Sequence, residues 1–185
     1  ASLRKEKLPV LTKDVGEKME EAILDAKAEG DSVGGIVECM VTGLPAGLGD
    51  PFFDSLESEL SHMMFSIPAV KGIEFGDGFG LAAMKGSAAN DCMHWANGKV
   101  ETTTNHNGGI LGGISSGSPV IFRLAIKPTA SIGKSQPTVN LAEKKDTLLT
   151  IGGRHDPCII PRAIPVIETA AALVILDEVL VTSDW

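Results

Sequence analysis

Three ionisable residues, Arg154, His155 and Asp156, follow directly after the glycine pair at 152–153. A guanidinium group can hold an anion through two parallel hydrogen bonds, and a carboxylate can act as a general base. The same residues are also typical of a helix cap with a surface ion pair, so both interpretations stay open. No metal site is predicted, because His155, Asp156 and Cys158 do not have the spacing of metal ligands.

Glycine pairs dominate the segment NHNGGILGGISSGSP at 105–119. Glycine lets the backbone approach a ligand closely, although a tight structural crossover would use the same residues. Residues 113–117 also match the G-x-S-x-G pattern of hydrolases. That pattern needs a strand before the serine and a helix after it, whereas an alternating strand is predicted after this segment. The hydrolase interpretation is therefore rejected.

A third segment, Lys127–Ser131, has the sequence KPTAS. A lysine with two hydroxyl groups nearby suits a phosphate group or the polar edge of a flavin. A turn with a solvated lysine uses the same residues. Taken by itself, the segment favours the turn.

The 185 residues carry a formal charge of −8. This charge argues against a nucleic-acid partner, because a phosphate backbone needs a basic surface. Three scattered cysteines, Cys39, Cys92 and Cys158, are too few for a disulfide framework and favour reduced thiols. With no signal peptide recognised and no apolar run of ~20 residues, we expect no membrane association and a cytoplasmic location. Length and composition predict one domain over residues 1–185.

Hydrophobic periodicity predicts helices at 14–30, 50–67 and 162–180, with Asp14 and Asp50 as the first two N-caps. Strands are predicted at 32–42, 70–76, 119–127, 137–142 and 146–151, and a long loop at 86–107. The second helix is expected to bury Phe53, Leu56, Leu60, Met63 and Met64. The order of these elements favours an α+β fold with antiparallel sheet.

Four segments taken in order resemble the chorismate synthase family: SIPAVKGIEFGDGF, NHNGGILGGISSG, KPTAS and GRHDPCIIPRAIPVIE. The resemblance runs from about residue 10 to residue 181 and corresponds to the carboxy-terminal half of that family's chain. It implies a β-α-β sandwich with helices packed between antiparallel sheets, and a homotetramer. It also implies a lyase of the shikimate pathway that makes chorismate for aromatic amino acid biosynthesis.

The reaction that the resemblance implies is an anti 1,4-elimination of phosphate from 5-enolpyruvylshikimate 3-phosphate. The family needs reduced FMN, although the reaction has no net redox change. Some other supply of electrons, or the enzyme itself with NADP as the nicotinamide source, must reduce the flavin, and the residues do not decide between the two. The resemblance implies flavin contacts at Pro68, Ala69, Gly112, Lys127, Pro128, Thr129, Ala130, Ser131 and Arg154.

The same resemblance implies the catalytic residues. Asp156 is the expected proton acceptor that works with the flavin, and a carboxylate beside Arg154 should remain ionised. Arg154 is expected to face the substrate phosphate as well, and His155 to orient its neighbours. Pro68 stands where many relatives carry asparagine, so only a backbone contact is expected there.

Two other interpretations remain. The chain can be a flavin-binding or oligomer-forming module that is inactive without the family's amino-terminal half, which contains further catalytic histidines and arginines. It can also be an unrelated small phosphate-binding protein, if the GRHDPC match is accidental. Only four arginines, Arg4, Arg123, Arg154 and Arg162, are available to a multiply charged substrate.

Overall fold

The structure is a computed structural model that describes residues 8–96 and 98–182. The chain divides into two compact units. The first lies within Ala1–Gly35 and Lys127–Ala163, and the second lies within Ile36–Ile126 and Ile164–Trp185. The expectation of one domain over residues 1–185 stays a prediction.

Four α-helices and nine β-strands occur in the described residues. The helices are α1 (Lys13–Ala28), α2 (Leu56–Ser66), α3 (Gly86–Ala89) and α4 (Ile160–Thr182). The strands are β1 (Gly35–Val41), β2 (Val70–Phe75), β3 (Met93–Ala96), β4 (Lys99–Thr102), β5 (Ile110–Leu111), β6 (Ile114–Ser115), β7 (Val120–Ile126), β8 (Gln136–Asn140) and β9 (Lys145–Leu149). The pairs β2–β7, β3–β4, β5–β6 and β8–β9 are antiparallel. The predicted α+β class with antiparallel sheets is confirmed.

The core of the second unit is built on a three-stranded sheet of order β1-β7-β2. Strand β7 alternates as predicted, and its core-facing side chains Val120, Phe122 and Leu124 are fully buried. The ring of Phe122 packs against Phe75 of β2 at a centroid distance of 5.9 Å. Two helices, α2 and α4, contribute further apolar side chains to this core: Leu56, Leu60 and Met64 of α2, and Ile167, Ala170, Ala171, Val174 and Ile175 of α4.

The end of α1 anchors the first unit. Gly30 has φ +69°, the N–H of Gly30 donates to Lys27 O, and the N–H of Asp31 donates to Ala26 O. This pattern is a Schellman motif, which needs a left-handed residue after the helix and therefore favours glycine. The Gly30 carbonyl then accepts a hydrogen bond from the N–H of Gly133 at 2.9 Å. The helix end therefore holds the chain just after Lys127–Ser131.

Two predicted helix starts are wrong. Helix α1 begins one residue before Asp14, with Thr12 as its N-cap. Asp50 does not cap α2, because a 3-10 turn at Phe52–Asp54 comes first and Ser55 is the N-cap, its Oγ accepting from the N–H of Ser58 at 3.1 Å. The 3-10 turn shifts the helical period, so that Phe53 is 90% exposed and not buried as predicted.

The predicted long loop at 86–107 is also wrong. It contains the short helix α3 and the antiparallel hairpin β3–β4, in which Trp95 pairs with Val100. The remaining predicted strands and the final helix are present, with ends displaced by at most three residues. No helix among the described residues is long and apolar enough to cross a membrane.

Candidate functional site

In the first unit, the segment Lys127–Ser131 is fixed through its backbone. The hydroxyl of Ser32 donates to the carbonyl of Thr129 at 2.6 Å, and the amide of Gln136 donates to the carbonyl of Ala130 at 3.3 Å. Lys134, just beyond the segment, pairs with Asp31 at 2.8 Å and with Glu29 at 3.2 Å. The hydrogen bond from Lys134, together with the Ser32 N–H, lowers the pKa of Asp31.

Two side chains of this segment remain available. Thr129 Oγ1 is buried and has no hydrogen-bond partner within the described residues. Lys127 is exposed, and among the described residues its ammonium group makes no ion pair. A buried hydroxyl without a partner is costly unless a ligand or water completes it. The segment is therefore compatible with a polar ligand at Thr129 and an anionic one at Lys127.

His155 joins this segment to the turn at 151–155. Its Nε2 lies 2.8 Å from the carbonyl of Ile151, and its Nδ1 lies 3.1 Å from the hydroxyl of Ser131. A carbonyl oxygen only accepts, so the proton of a neutral ring is on Nε2 and Nδ1 accepts from Ser131. Both ring nitrogens are therefore engaged, and the orienting role of His155 stays a prediction.

Asp156 is paired with Arg162, whose Nη2 lies 2.6 Å from Oδ2. Its other oxygen accepts from the N–H of Cys158 at 3.3 Å. Cys158 is buried, and burial is the main cause that raises the pKa of its thiol. Arg154, by contrast, is exposed and makes no ion pair or hydrogen bond with the described residues. The sequence predicts Arg154 as the cation beside Asp156, but in the structure that cation is Arg162. Arg154 therefore remains available to a ligand.

In the second unit, Pro68 and Ala69 form the turn between α2 and β2. The N–H of Ile67 donates to Met64 O, and the N–H of Val70 donates to Ile67 O at 3.3 Å. Ala69 has φ +74°, a left-handed conformation that costs a residue with a Cβ about 1 kcal/mol or more. Such strain is retained where the surrounding structure requires a special backbone path.

Gly112 lies in the two-residue turn of the β5–β6 hairpin, in the same unit. Gly112 and Gly113 have φ +61° and +93°, as a type I′ turn requires at both positions. A Cβ on Gly113 would collide with the carbonyl oxygen of Asp50, whereas a Cβ on Gly112 would meet nothing within 4 Å. Gly113 is therefore required by the fold, and the face of Gly112 is open.

Ser115 is the central residue of the G-x-S-x-G match, and its hydroxyl is occupied. It is 3% exposed, donates to Pro45 O at 2.7 Å and accepts from the N–H of Leu48 at 2.9 Å. The strand β6, not a helix, contains it. The rejection of a hydrolase serine is confirmed.

Three polar residues near the glycine turn were not identified from the sequence. Asp77, Asp91 and His106 hydrogen-bond to one another or to the residues just before Gly108. These contacts join positions 15 to 29 residues apart, so no local pattern indicates them. The structure thus places Ser131, His155, Asp156 and Arg162 in one connected set in the first unit, and Pro68, Ala69 and Gly112 in the second.

The family model for chorismate synthase matches residues 1–180. The chain belongs to the chorismate synthase family.

Individual relatives agree with this assignment. A chorismate synthase of Methanosarcina acetivorans is 52% identical over 177 residues, covering 95% of this chain and 48% of the relative. That of Opitutus terrae is 52% identical over 160 residues, covering 86% of this chain and 44% of the relative. A solved structure titled "Crystal Structure of Chorismate Synthase" superposes with a TM-score of 0.75 at 28% identity, over 94% of this chain and 45% of that one. The chain spans about half the length of the curated relatives it matches.

Each unit, taken by itself, has groups that are compatible with a flavin that carries a phosphate. In the second unit, the backbone face at Gly112 is open. In the first unit, the buried hydroxyl of Thr129 lacks a partner within the described residues, and the cations of Lys127 and Arg154 are unpaired there. A hydroxyl and cations are donors that a polar ring edge and a phosphate require.

Proposed function

We propose that this chain performs its part of the chorismate synthase reaction, the 1,4-elimination of phosphate from 5-enolpyruvylshikimate 3-phosphate with reduced FMN as cofactor. The observation that carries the proposal is the family match over residues 1–180. The unpaired Arg154 beside the ion-paired Asp156 supports it, because the reaction needs both an anion-binding group and a proton acceptor.

Under this proposal, the flavin contacts are those that the family resemblance implies: Pro68, Ala69, Gly112, Lys127–Ser131 and Arg154. Reduced FMN, when bound, supplies the electron density that helps phosphate to leave. The open face of Gly112 would leave room for the ring, the Thr129 hydroxyl would donate to a polar atom of the cofactor, and Lys127 would attract an anionic group. Pro68 offers no side-chain hydrogen bond, so its role is limited to the backbone.

Asp156 accepts the proton in this scheme. The guanidinium of Arg162, with Nη2 at 2.6 Å from Oδ2, holds the carboxylate in position, and a carboxylate can act as a general base. Arg154 faces the departing phosphate. His155 touches neither reactant: it holds Ser131 and Ile151, and thereby sets the path of the turn that contains Arg154 and Asp156.

We propose that turnover needs residues which the longer relatives have outside the matched segment. A substrate with a phosphate and two carboxylates would meet few counter-charges in a chain of net charge −8. The homotetramer, the cytoplasmic location and the single domain over residues 1–185 belong to the same proposal. Helix α4 has partly exposed apolar side chains, which contacts with another subunit would cover: Val166, Leu173, Leu176 and Leu180.

The test is an anaerobic assay with photoreduced FMN and 5-enolpyruvylshikimate 3-phosphate. The 185-residue chain is compared with the same chain supplied with a polypeptide that covers the rest of the family's length. Chorismate formation only in the second sample is the expected result. If both polypeptides fold and the mixture forms no chorismate, the alternative of a non-catalytic flavin-binding or oligomer-forming module is favoured. Titration of oxidised FMN into the 185-residue chain then tests that alternative.

A further inference from the structure

We propose that Asp91 is the positioning residue of the glycine turn, and that it determines flavin affinity without touching the flavin. The inference rests on the proposed function, because it takes the turn at Gly108–Gly113 as part of the flavin site. Asp91 lies just after α3 and is 17 residues before the first glycine of the turn.

The carboxylate of Asp91 collects four hydrogen bonds from one short stretch of chain. Oδ1 accepts from the Thr104 hydroxyl at 2.8 Å and from the N–H of His106 at 2.7 Å. Oδ2 accepts from the N–H of Asn107 at 3.0 Å and from its side-chain amide at 2.9 Å. Two of the four donors are backbone groups, so the carboxylate fixes the direction of the main chain immediately before Gly108.

The electrostatics agree with a strongly held anion. Burial by itself raises the pKa of Asp91, but the hydrogen bonds from Asn107, Thr104 and His106 outweigh it and leave the pKa below its usual value. A carboxylate with all its strong acceptor directions filled by protein donors is a poor base and a poor metal ligand. Its contribution is therefore the geometry of residues 104–107.

A second carboxylate holds the same stretch from the other side. Asp77 Oδ2 lies 2.6 Å from Nδ1 of His106, and the N–H of Asp77 donates to the carbonyl of His106 at 2.8 Å. The adjacent Gly76 has no room for a side chain, since a Cβ there would collide with that carbonyl oxygen and with the N–H of Gly108. His106 is thus clamped through its N–H, its carbonyl and its ring.

The glycine turn itself is short and is held at both ends. The carbonyl of Gly113 accepts from the N–H of Leu56 at 2.9 Å, and the carbonyl of Gly108 accepts from the N–H of Ile121 of β7 at 3.1 Å. Only four residues separate Asn107 from Gly112. The 104–107 stretch therefore sets the direction in which the chain enters the turn, and we infer that losing its anchor at Asp91 displaces the open face of Gly112.

The experiment uses Asp91→Asn in an enzyme of full family length that contains these 185 residues. A carboxamide has one acceptor oxygen, so in either orientation a backbone N–H, of His106 or of Asn107, loses its acceptor. Oxidised FMN is titrated by fluorescence, kcat is measured at saturating reduced FMN, and thermal unfolding is followed without flavin. Asp146→Asn, an exposed position on β9, makes the same chemical change elsewhere.

The expected result is an FMN dissociation constant raised roughly 10-fold or more, with kcat at saturating flavin within about threefold of the unmodified enzyme. The unfolding midpoint should fall little, and Asp146→Asn should change none of the three. Affinity within twofold of the unmodified enzyme overturns the proposal, as does a loss confined to kcat or to the unfolding midpoint.

If the Asp91→Asn variant does not fold, the double variant Thr104→Val with Asn107→Ala tests the proposal instead. This pair removes both side-chain donors and leaves both backbone donors. Weakening of FMN binding by about threefold or more supports the proposal, and unchanged binding overturns it. If the unmodified enzyme binds no FMN and forms no chorismate, the proposed function and this inference are both overturned. If the unmodified enzyme is active and the Asp91→Asn variant binds FMN equally well, this inference alone is overturned.

Discussion

The carboxylate of Asp156 is bonded to the guanidinium of Arg162 at 2.6 Å, while the adjacent Arg154 makes no ion pair within the described residues. Two arginines eight residues apart therefore have different surroundings. Arg162 balances the charge of Asp156, and Arg154 is free to bind an anion. The predicted base, Asp156, and the predicted anion-binding residue, Arg154, can therefore be tested by separate substitutions.

Replacing Asp156 with alanine should abolish most of the turnover and little of the binding. Loss of a general base costs roughly 10²–10⁴ in kcat. Flavin affinity should stay nearly the same, because the carboxylate points to Arg162. The measurement is kcat under anaerobic conditions in the full-length enzyme, with Asp146→Ala as the exposed control. A fall of less than threefold in kcat would show that another residue takes the proton.

Replacing Arg154 with alanine should weaken ligand binding. A hydrogen-bonded charge contributes enough that its removal should raise a dissociation constant roughly 10-fold or more. Titration of oxidised FMN and a KM for the phosphorylated substrate identify which ligand it holds. Lys18→Ala, an exposed cation of α1, is the control. Unchanged affinity for both ligands contradicts the assignment of Arg154.

Gly112→Ala and Gly43→Ala form a matched pair. Both glycines have positive φ, +61° and +82°, and a Cβ would meet nothing within 4 Å at either position. Each substitution should therefore lower the free energy of unfolding by a similar amount, about 1 kcal/mol. Only Gly112→Ala should reduce FMN binding, because only there would the methyl group face the ligand. Equal FMN binding by the two variants would remove Gly112 from the site.

The thiols should differ in reactivity. Burial, with a smaller contribution from Glu168, raises the pKa of Cys39 to about 11. The thiolate is the reactive form, so at pH 8 Cys39 should react with a disulfide reagent at least ~10-fold more slowly than the exposed Cys92, and its rate should rise as the pH approaches 11. Mass spectrometry of partially labelled protein gives the order. Labelling of Cys39 before Cys92 would contradict it, and Cys92→Ser should remove the fast phase.

The regular elements could be predicted from the sequence because their signals are local. The alternation from Val120 to Ile126 reports the burial of one face of β7 directly. Gly30 ends α1 as expected, because a Schellman motif requires its positive φ. The family could be identified for a similar reason, since the motif residues lie in consecutive runs.

Prediction was wrong where short polar segments form structure. The β3–β4 hairpin lies in a segment for which the sequence predicts a loop, although residues 97 and 98 are Asn-Gly, a strong hairpin signal. The helical period predicts a buried Phe53 because it carries no sign of the 3-10 turn before α2. For the site, the pairing of Asp156 with Arg162 and the clamp of Asp91 on residues 104–107 depend on tertiary contacts, which no spacing rule reports.

The contact between Ser131 and His155 requires a hydrogen-bond donor at residue 131. With Nε2–H directed at the Ile151 carbonyl, Nδ1 can only accept, and a hydroxyl group rotates about its C–O bond to donate to it. An ionised carboxylate at residue 131 would bring no proton to this contact. A short hydroxyl side chain therefore links Lys127–Ser131 to the turn that contains Arg154 and Asp156.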